Sequence, residues 1–392
     1  MKKAEIVIIG GGVVGASVAY HLTMRGAKDV LILEREPAQG LGSTGKATGG
    51  VRAQFETEIN IRMSLYSLDF FRNWEFDCGY EPRGYLFFGT DDRQLDYLKR
   101  NVETQKSLGV KDVEIVDCAA IKEICPILNC EDITGGSFGK HDGFINPLAV
   151  MRGFTSKALE RGARIEFDTK VFSVETVGGK VTAVETNKGR IECEKAVICT
   201  GAWARSLAKT AGVCLPVEPQ KRQIVWAQSR NRLPENLPMV IDIGSGFHFR
   251  PARDFVDSSA NADNREVLFA YPDPDEKASF DTDFDAAFIE KVYARARHRA
   301  PFLFETVPLR EKCRAGLYEN TPDHHAILGG CAEAQGLYFA NGFSGHGVMH
   351  SPATGRALSE IMLDGEASFL DVSCLRLERF ANGALLHETA FI

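Results

Sequence analysis

The chain has 392 residues, 44% of them hydrophobic and 25% charged, which is ordinary globular composition for one large or two modest units. A net charge of -7 at pH 7 excludes a nucleic-acid surface or an anionic-membrane face, because such partners select clustered Lys and Arg. The apolar N-terminal run falls short of the roughly 18 residues of a membrane span, and ten cysteines without a C-x-x-C pair read as reduced thiols of a cytoplasmic protein.

In chain order, Ala4 to Ile9 is an apolar run that predicts a buried strand. Val14 to Met24 follows, with Val14, Val18 and Leu22 on one helical face and Gly26 as a stop; Val30 to Glu34 predicts the next strand. A strand, helix, strand unit of about thirty residues implies a parallel pair. Ile59, Met63, Tyr66, Phe70 and Trp74 predict a core-facing helix over 57–76, and Gly84 to Thr90 reads as a strand. Asn146 and Pro147 supply a cap and first turn for a helix through Arg161. Short strands are expected at 164–167, 171–176, 181–186 and 191–203, with Gly178 and Gly179 as a hairpin turn.

Beyond Pro216, the runs 222–228, 247–251 and 267–272 are separated by Pro, Asn and Asp and predict an antiparallel sheet, followed by a helix over 283–299. From Gly316 the chain returns to strand, glycine loop and a long helix over 350–363. This order predicts an α/β protein: a nucleotide-binding unit from residues 1–80, 142–216 and 313–392, and a second unit from 81–141 and 217–312.

Gly10, Gly12 and Gly15 satisfy G-x-G-x-x-G directly after a strand and at the mouth of a helix, with Val13 and Val14 in the same turn. There glycine permits a tight turn, approach of a pyrophosphate to backbone N–H groups and close helix packing. Glu34, followed by Arg35, supplies the acid that hydrogen-bonds a ribose hydroxyl and disfavours a 2′-phosphate. The glycine-rich segment 40–54 comes next, where Ser43 and Thr44 suit a phosphate and Gly49 with Gly50 suits a flat ring. FAD explains that run better than NAD, the alternative being a flexible surface loop.

Near the other end, Gly342, Ser344, Gly345, His346, Gly347 and Val348 stand between a strand and a helix. Unpaired amides and the positive end of that helix would stabilise the negative charge that reduced flavin carries at its N1 and O2 edge. His346 either contacts the flavin or closes the turn. Asp323, His324 and His325 lack a further ligand cluster, so no metal is expected.

The Gly10–Gly15 turn with Glu34, the runs 42–55 and 199–204, the segment 316–329 and the segment 341–362 together resemble the FAD-dependent D-amino-acid oxidase superfamily. Within it they are most similar to the branch of sarcosine oxidase β subunits, glycine oxidase, dimethylglycine dehydrogenase and archaeal proline dehydrogenase β subunits. The resemblance implies a glutathione-reductase-type Rossmann domain for FAD, plus a substrate domain with a mostly antiparallel sheet flanked by helices. It implies that Ser43, Thr44, Ala47, Thr48, Gly49 and Gly50 line the ribityl and ring portions of the cofactor. Val171 would meet the adenine, Gly201 and Trp203 would lie near the dinucleotide, and Gly342 to Val348 would hold the pyrimidine edge.

Arg52 falls where relatives bind the substrate carboxylate, which its fork suits, a surface salt bridge being the alternative. Tyr318 matches a tyrosine that faces the substrate, a core tyrosine being the alternative; His248 and Arg250 are weaker candidates. Three departures stand out. Gly316 occupies the place of a flavin-linking cysteine, with Cys313 three residues early, so FAD is expected to be non-covalent. Met349 replaces a lysine, and Leu268 stands where an oxygen-activating lysine is expected, which tilts the reading toward a dehydrogenase.

The expected activity is FAD-dependent oxidation, as dehydrogenase or oxidase, of the C–N bond of a small amino acid or N-methyl amino acid. The expected partner is a small carboxylate-bearing amine, not nucleic acid or membrane; a homo-oligomer or a hetero-oligomer with an electron-accepting subunit fits the resemblance. The competing readings are a non-catalytic or partner-dependent flavoprotein subunit or assembly factor, and an NAD-dependent dehydrogenase.

Overall fold

The fold is described from a computed structural model over residues 2–252 and 264–388. Ile6–Ile9, every residue buried, forms the middle of a six-stranded sheet, as an apolar strand covered on both faces must. Val30–Leu33 lies parallel on one side, with Ile6 opposite Val30, and Lys195–Ile198 lies parallel on the other. Arg164–Glu166 forms one edge; Leu337–Asn341 and the antiparallel Ile327–Gly330 extend the other. Helix Val13–Met24 packs against helices Pro147–Glu160 and Gly347–Asp364. The Asn146 cap forms as expected: its side-chain oxygen accepts the N–H groups of Leu148 and Ala149.

A nine-stranded sheet forms the second layer system. Its order is Val307–Pro308, Glu218–Gln228, Glu266–Ala270, His248–Pro251, Met239–Asp242, Tyr85–Gly89, Gly135–Gly139 and Val113–Val116, with Arg314–Asn320 paired to Glu218–Gln228. Its pairings are antiparallel except that of Tyr85–Gly89 with Met239–Asp242. Each large sheet covers its own apolar core, one around Leu31 and Val197, the other around Phe88 and Phe249.

Several expectations shift. The strand Arg314–Asn320, read with the nucleotide-binding unit, hydrogen-bonds into the nine-stranded sheet, where Arg222 faces Gly316. The run 191–203 is two strands in different sheets: Gly189–Glu192 joins Lys180–Thr186 in a four-stranded sheet, while Lys195–Ile198 enters the six-stranded one. Its end is a helical turn, Gly201–Trp203. The hairpin at Gly178 and Gly179 forms, with φ of 59° and 74°, as a type I′ turn demands. The last long helix starts at Gly347 rather than 350, so the glycine loop supplies its first turn. Between 90 and 141 the sequence hid helices Asp92–Ser107 and Cys118–Ile124, because only Leu98, Val102 and Gln105 of the first and Ile121 of the second are buried.

Candidate active site

A cavity of about 510 Å³ begins beyond the carboxyl ends of Ile6–Ile9 and Val30–Leu33 and extends to the face of the nine-stranded sheet. Ligands of open parallel sheets bind at such strand ends. At this end Glu34 is held in place by two backbone donors, Gly11 N–H to Oε2 at 2.9 Å and Glu36 N–H to Oε1 at 3.0 Å. The Val13 N–H, in the first turn of its helix, donates to Thr44 Oγ1 at 3.1 Å, and Ser43 Oγ donates to the Leu317 carbonyl at 2.8 Å. Arg35 pairs with Glu36 and lies over the Trp203 ring with Cζ 3.7 Å from its centroid.

Gly10, Gly12, Val13, Val14, Glu34, Arg35, Ser43, Thr44, Ala47, Thr48, Gly49, Gly50, Val171, Gly201 and Trp203 all line this one cavity, as do Gly345 to Val348. Gly15, Gly342 and Ser344 do not line it. Gly15 abuts the Gly10 carbonyl, Gly342 packs on Thr321, and Ser344 Oγ accepts the Thr321 N–H. The residues present fit an extended polar cofactor: Thr200 Oγ1 and Glu319 Oε2 are buried on the wall with no partner among the described residues. Burial raises the Glu319 carboxyl from 4.5 to about 7, against the N–H groups of Gly342 and Phe343.

At the other end the cavity reaches Arg52, Tyr85, Arg222, Met239, His248, Tyr318 and His346. Arg52 is only 4% exposed, stacks over Phe55 with Cζ 3.8 Å from the ring centroid and donates to the Gln54 carbonyl. Among the described residues no carboxylate pairs with it; burial lowers its pKa, and the charges of Glu388 and Asp142 act from a distance to raise it. A surface salt bridge is therefore not its role. Tyr318, opposite Gln220 in the sheet, borders the cavity, and its hydroxyl makes no hydrogen bond among the described residues, unlike a satisfied core tyrosine; its pKa is raised by burial.

His346 precedes the first turn of the last helix, and the turn is closed by backbone bonds from its N–H to Phe343 and from the His350 N–H to its carbonyl. Its ring meets Phe55 edge to face, and Nε2 is buried without a partner among the described residues. Burial and the nearby Arg52 charge hold its pKa well below 6.5, so it is neutral. Met349 lines the cavity. Cys313 turns into the sheet, bonded to the Trp226 backbone, and Leu268 is buried beside Trp226 and Ala270, opposite Arg250, which donates to the Thr48 carbonyl.

The segment 321–325 belongs to a buried polar network. Arg379 grips Asp323 with two nitrogens at 2.7 and 2.9 Å, and His325 bonds the Asp323 carbonyl and Thr57. Glu388 completes it by accepting the N–H groups of Glu56 and Thr57, four and five residues beyond Arg52, and the side chain of Asn60 at the start of helix Glu58–Asn73. Sequence reasoning missed Glu388, Tyr85, Met239, Glu319 and Arg222. Tyr85 and Met239 meet only through the parallel pairing of distant strands, whereas the acid after Tyr318 was visible.

The profile of the FAD dependent oxidoreductase family matches residues 5–361. The chain belongs to that family. FAD is the cofactor of this oxidoreductase. It is 31% identical over 428 residues to FAD-dependent oxidoreductase domain-containing protein 1 of Xenopus laevis, covering 97% of this chain and 83% of the relative. It is 29% identical to the mitochondrial pyruvate dehydrogenase phosphatase regulatory subunit of Mus musculus, covering 100% of this chain and 44% of the relative. The crystal structure of L-proline dehydrogenase from P. horikoshii superposes with a TM-score of 0.88 at 30% identity, covering 98% of the oxidoreductase and 100% of that chain. Among the described residues no helix is long and apolar enough to cross a membrane.

Proposed function

We propose that the oxidoreductase oxidises the C–N bond of a small amino acid or N-methyl amino acid, of the sarcosine, proline, glycine or D-amino acid type. One observation carries this reading: a buried arginine on the cavity wall with no carboxylate of its own among the described residues. A buried charge without a partner is costly, and a substrate carboxylate accepting its fork supplies the missing anion. The similarity to an L-proline dehydrogenase supports the same substrate class.

Gly10, Gly12, Glu34, Ser43, Thr44 and Gly201 would hold the FAD, and Gly345 to Val348 would present amides to it. FAD when bound supplies the hydride acceptor. Arg52 fixes the carboxylate and thereby the α-carbon, and orientation of this kind supplies a large part of a rate acceleration. The substrate amine, neutral, forms the C=N bond as the Cα–H bond breaks with its electron pair; water then hydrolyses the imine. Neutral His346 and the Tyr318 hydroxyl, both without partners among the described residues, would contact the amine or its proton in this reading. FAD is held without a covalent bond in this reading, since Cys313 is engaged with Trp226.

Anaerobic mixing of the yellow protein with sarcosine, proline, glycine and D-amino acids tests the reading by bleaching of the flavin absorbance. Arg52→Ala should keep its FAD and lose roughly a hundredfold in affinity for the carboxylate substrate; unchanged kinetics would remove Arg52 from the site. A second reading, a partner-dependent or regulatory flavoprotein, draws on the similarity to the phosphatase regulatory subunit. It predicts that dithionite bleaches the flavin while none of these amines does.

A further inference from the structure

The cavity holds a second arginine that no carboxylate pairs with among the described residues. Arg222 projects from strand Glu218–Gln228 at the position facing Gly316, which has no side chain to crowd it, and its Cζ lies 5.4 Å from the centroid of the Tyr318 ring. Its Nη1 donates to the Lys221 carbonyl at 3.1 Å, while Nε is buried with no partner among the described residues. The two carboxylates whose charges reach it are already engaged. Glu276 is bound by Lys221 at 3.5 Å and by Gln223 at 3.3 Å, and Asp273 by Lys291 at 2.6 Å. A guanidinium offers five donors, so Arg222 faces the cavity with most of its fork unused.

The neighbours of Arg222 place it at the Arg52 end of the cavity. Its charge is felt by Tyr318, where the second charge felt is that of Arg52, and by His248. Of the arginines on the wall, Arg35 has its own carboxylate in Glu36; Arg52 and Arg222 have none among the described residues. The buried side chains of Tyr85, Met239 and Ile241 line the same cavity, a largely apolar wall suited to a short methylene chain.

Resting on the C–N oxidation reading above, we propose that the substrate is an amine with two carboxylates, an acidic amino acid or imino diacid, Arg52 binding one carboxylate and Arg222 the other. The reaction is unchanged: the Cα–H bond would break with its electron pair as the C=N bond forms, FAD when bound supplying the acceptor, and water would hydrolyse the imine. Arg222 contributes specificity and does not act on the reacting atoms.

The test is an anaerobic titration of the holoenzyme with sarcosine, L-proline, iminodiacetate and N-methyl-L-glutamate, reading dissociation constants from flavin spectral perturbation and rates from bleaching. A charge-assisted pair should make one or both diacids bind at least roughly tenfold tighter than the monoacids. Arg222→Gln should erase that ratio while sarcosine binding stays within about twofold, and Arg222→Lys should restore part of it. Arg52→Gln should weaken all four. If a monoacid perturbs or bleaches the flavin and neither diacid binds more tightly, or if Arg222→Gln leaves the diacid-to-monoacid ratio unchanged, the second anchor is wrong while the reaction stands. If none of the four perturbs the flavin and dithionite bleaches it, the reaction reading fails and this proposal falls with it. The wild-type ratio needs no variant, so a poorly folding Arg222→Gln does not shield the proposal.

Discussion

At the first glycine loop the atoms that forbid a side chain are backbone: a Cβ on Gly15 would sit 2.0 Å from the Gly10 carbonyl oxygen. At the last loop the obstacle is a ring from another sheet: a Cβ on Gly345, which holds φ at 97°, would sit 2.4 Å from Tyr318. The Gly15 contact is thus made within the loop, by a residue five positions away, although Gly10, at a φ of 104°, also faces the Cys199 carbonyl just beyond strand Lys195–Ile198. The second loop is shaped by a strand pairing across the molecule. Local constraint leaves a pattern that a sequence displays; distant constraint leaves glycines whose reason lies elsewhere.

The sharpest way to break this comparison is Gly15→Ala. With the Gly10 backbone against it and the buried Ile8 side chain beside it, little can yield, and a loss of more than about 3 kcal/mol is expected, at the upper end for overpacking. Urea unfolding and the flavin absorbance of the purified protein check it; a yellow variant of unchanged stability would show that the helix can slide away.

The next effect concerns Glu319, whose carboxyl is restrained by amides of the last loop and borders Gly201. Its pKa in the folded chain, about 7, lies above the ordinary 4.5, so the native state binds the proton more tightly. Stability is therefore complete below about 4.5 and declines as pH rises through about 7, by on the order of 3 kcal/mol. Urea titrations of the apoprotein at pH 5 and pH 8 should show that decline, and Glu319→Gln should flatten it above pH 6. Asp142, raised to about 6 by burial, has the same sign and leaves the variant a residual slope below that pH.

The smallest effect tests the distant constraint directly. Gly345→Ala should cost about 2 kcal/mol through its positive φ and the Tyr318 contact. Adding Tyr318→Ala should return about 1 kcal/mol of that, as a double-mutant cycle by urea unfolding would read. Simple additivity would mean that the ring moves aside freely and that the loop is as self-contained as the first.

The same contrast explains what the sequence made legible. Glu34 and the Gly10–Gly15 turn were readable because the strand, helix, strand unit is contiguous, and Ile6–Ile9 and Val30–Leu33 pair as its length requires. Arg52 and His346 were readable only as motif positions, and both line the cavity. Arg222 was not, because its role depends on facing Gly316 and on neighbouring anions being occupied, neither of which has a local signature. The pairing of 314–320 with the nine-stranded sheet was hidden for the same reason: its apolar alternation suits either sheet, and only pairing to Glu218–Ile224 decides.

Glu388 has an unexpected job. By clasping the amides of Glu56 and Thr57 it makes the stretch of chain around it a brace behind the segment that bears Arg52. A protease nick or rigid fusion that drags this brace outward would loosen the anion anchor from the rear, without touching any group that meets the bound molecule.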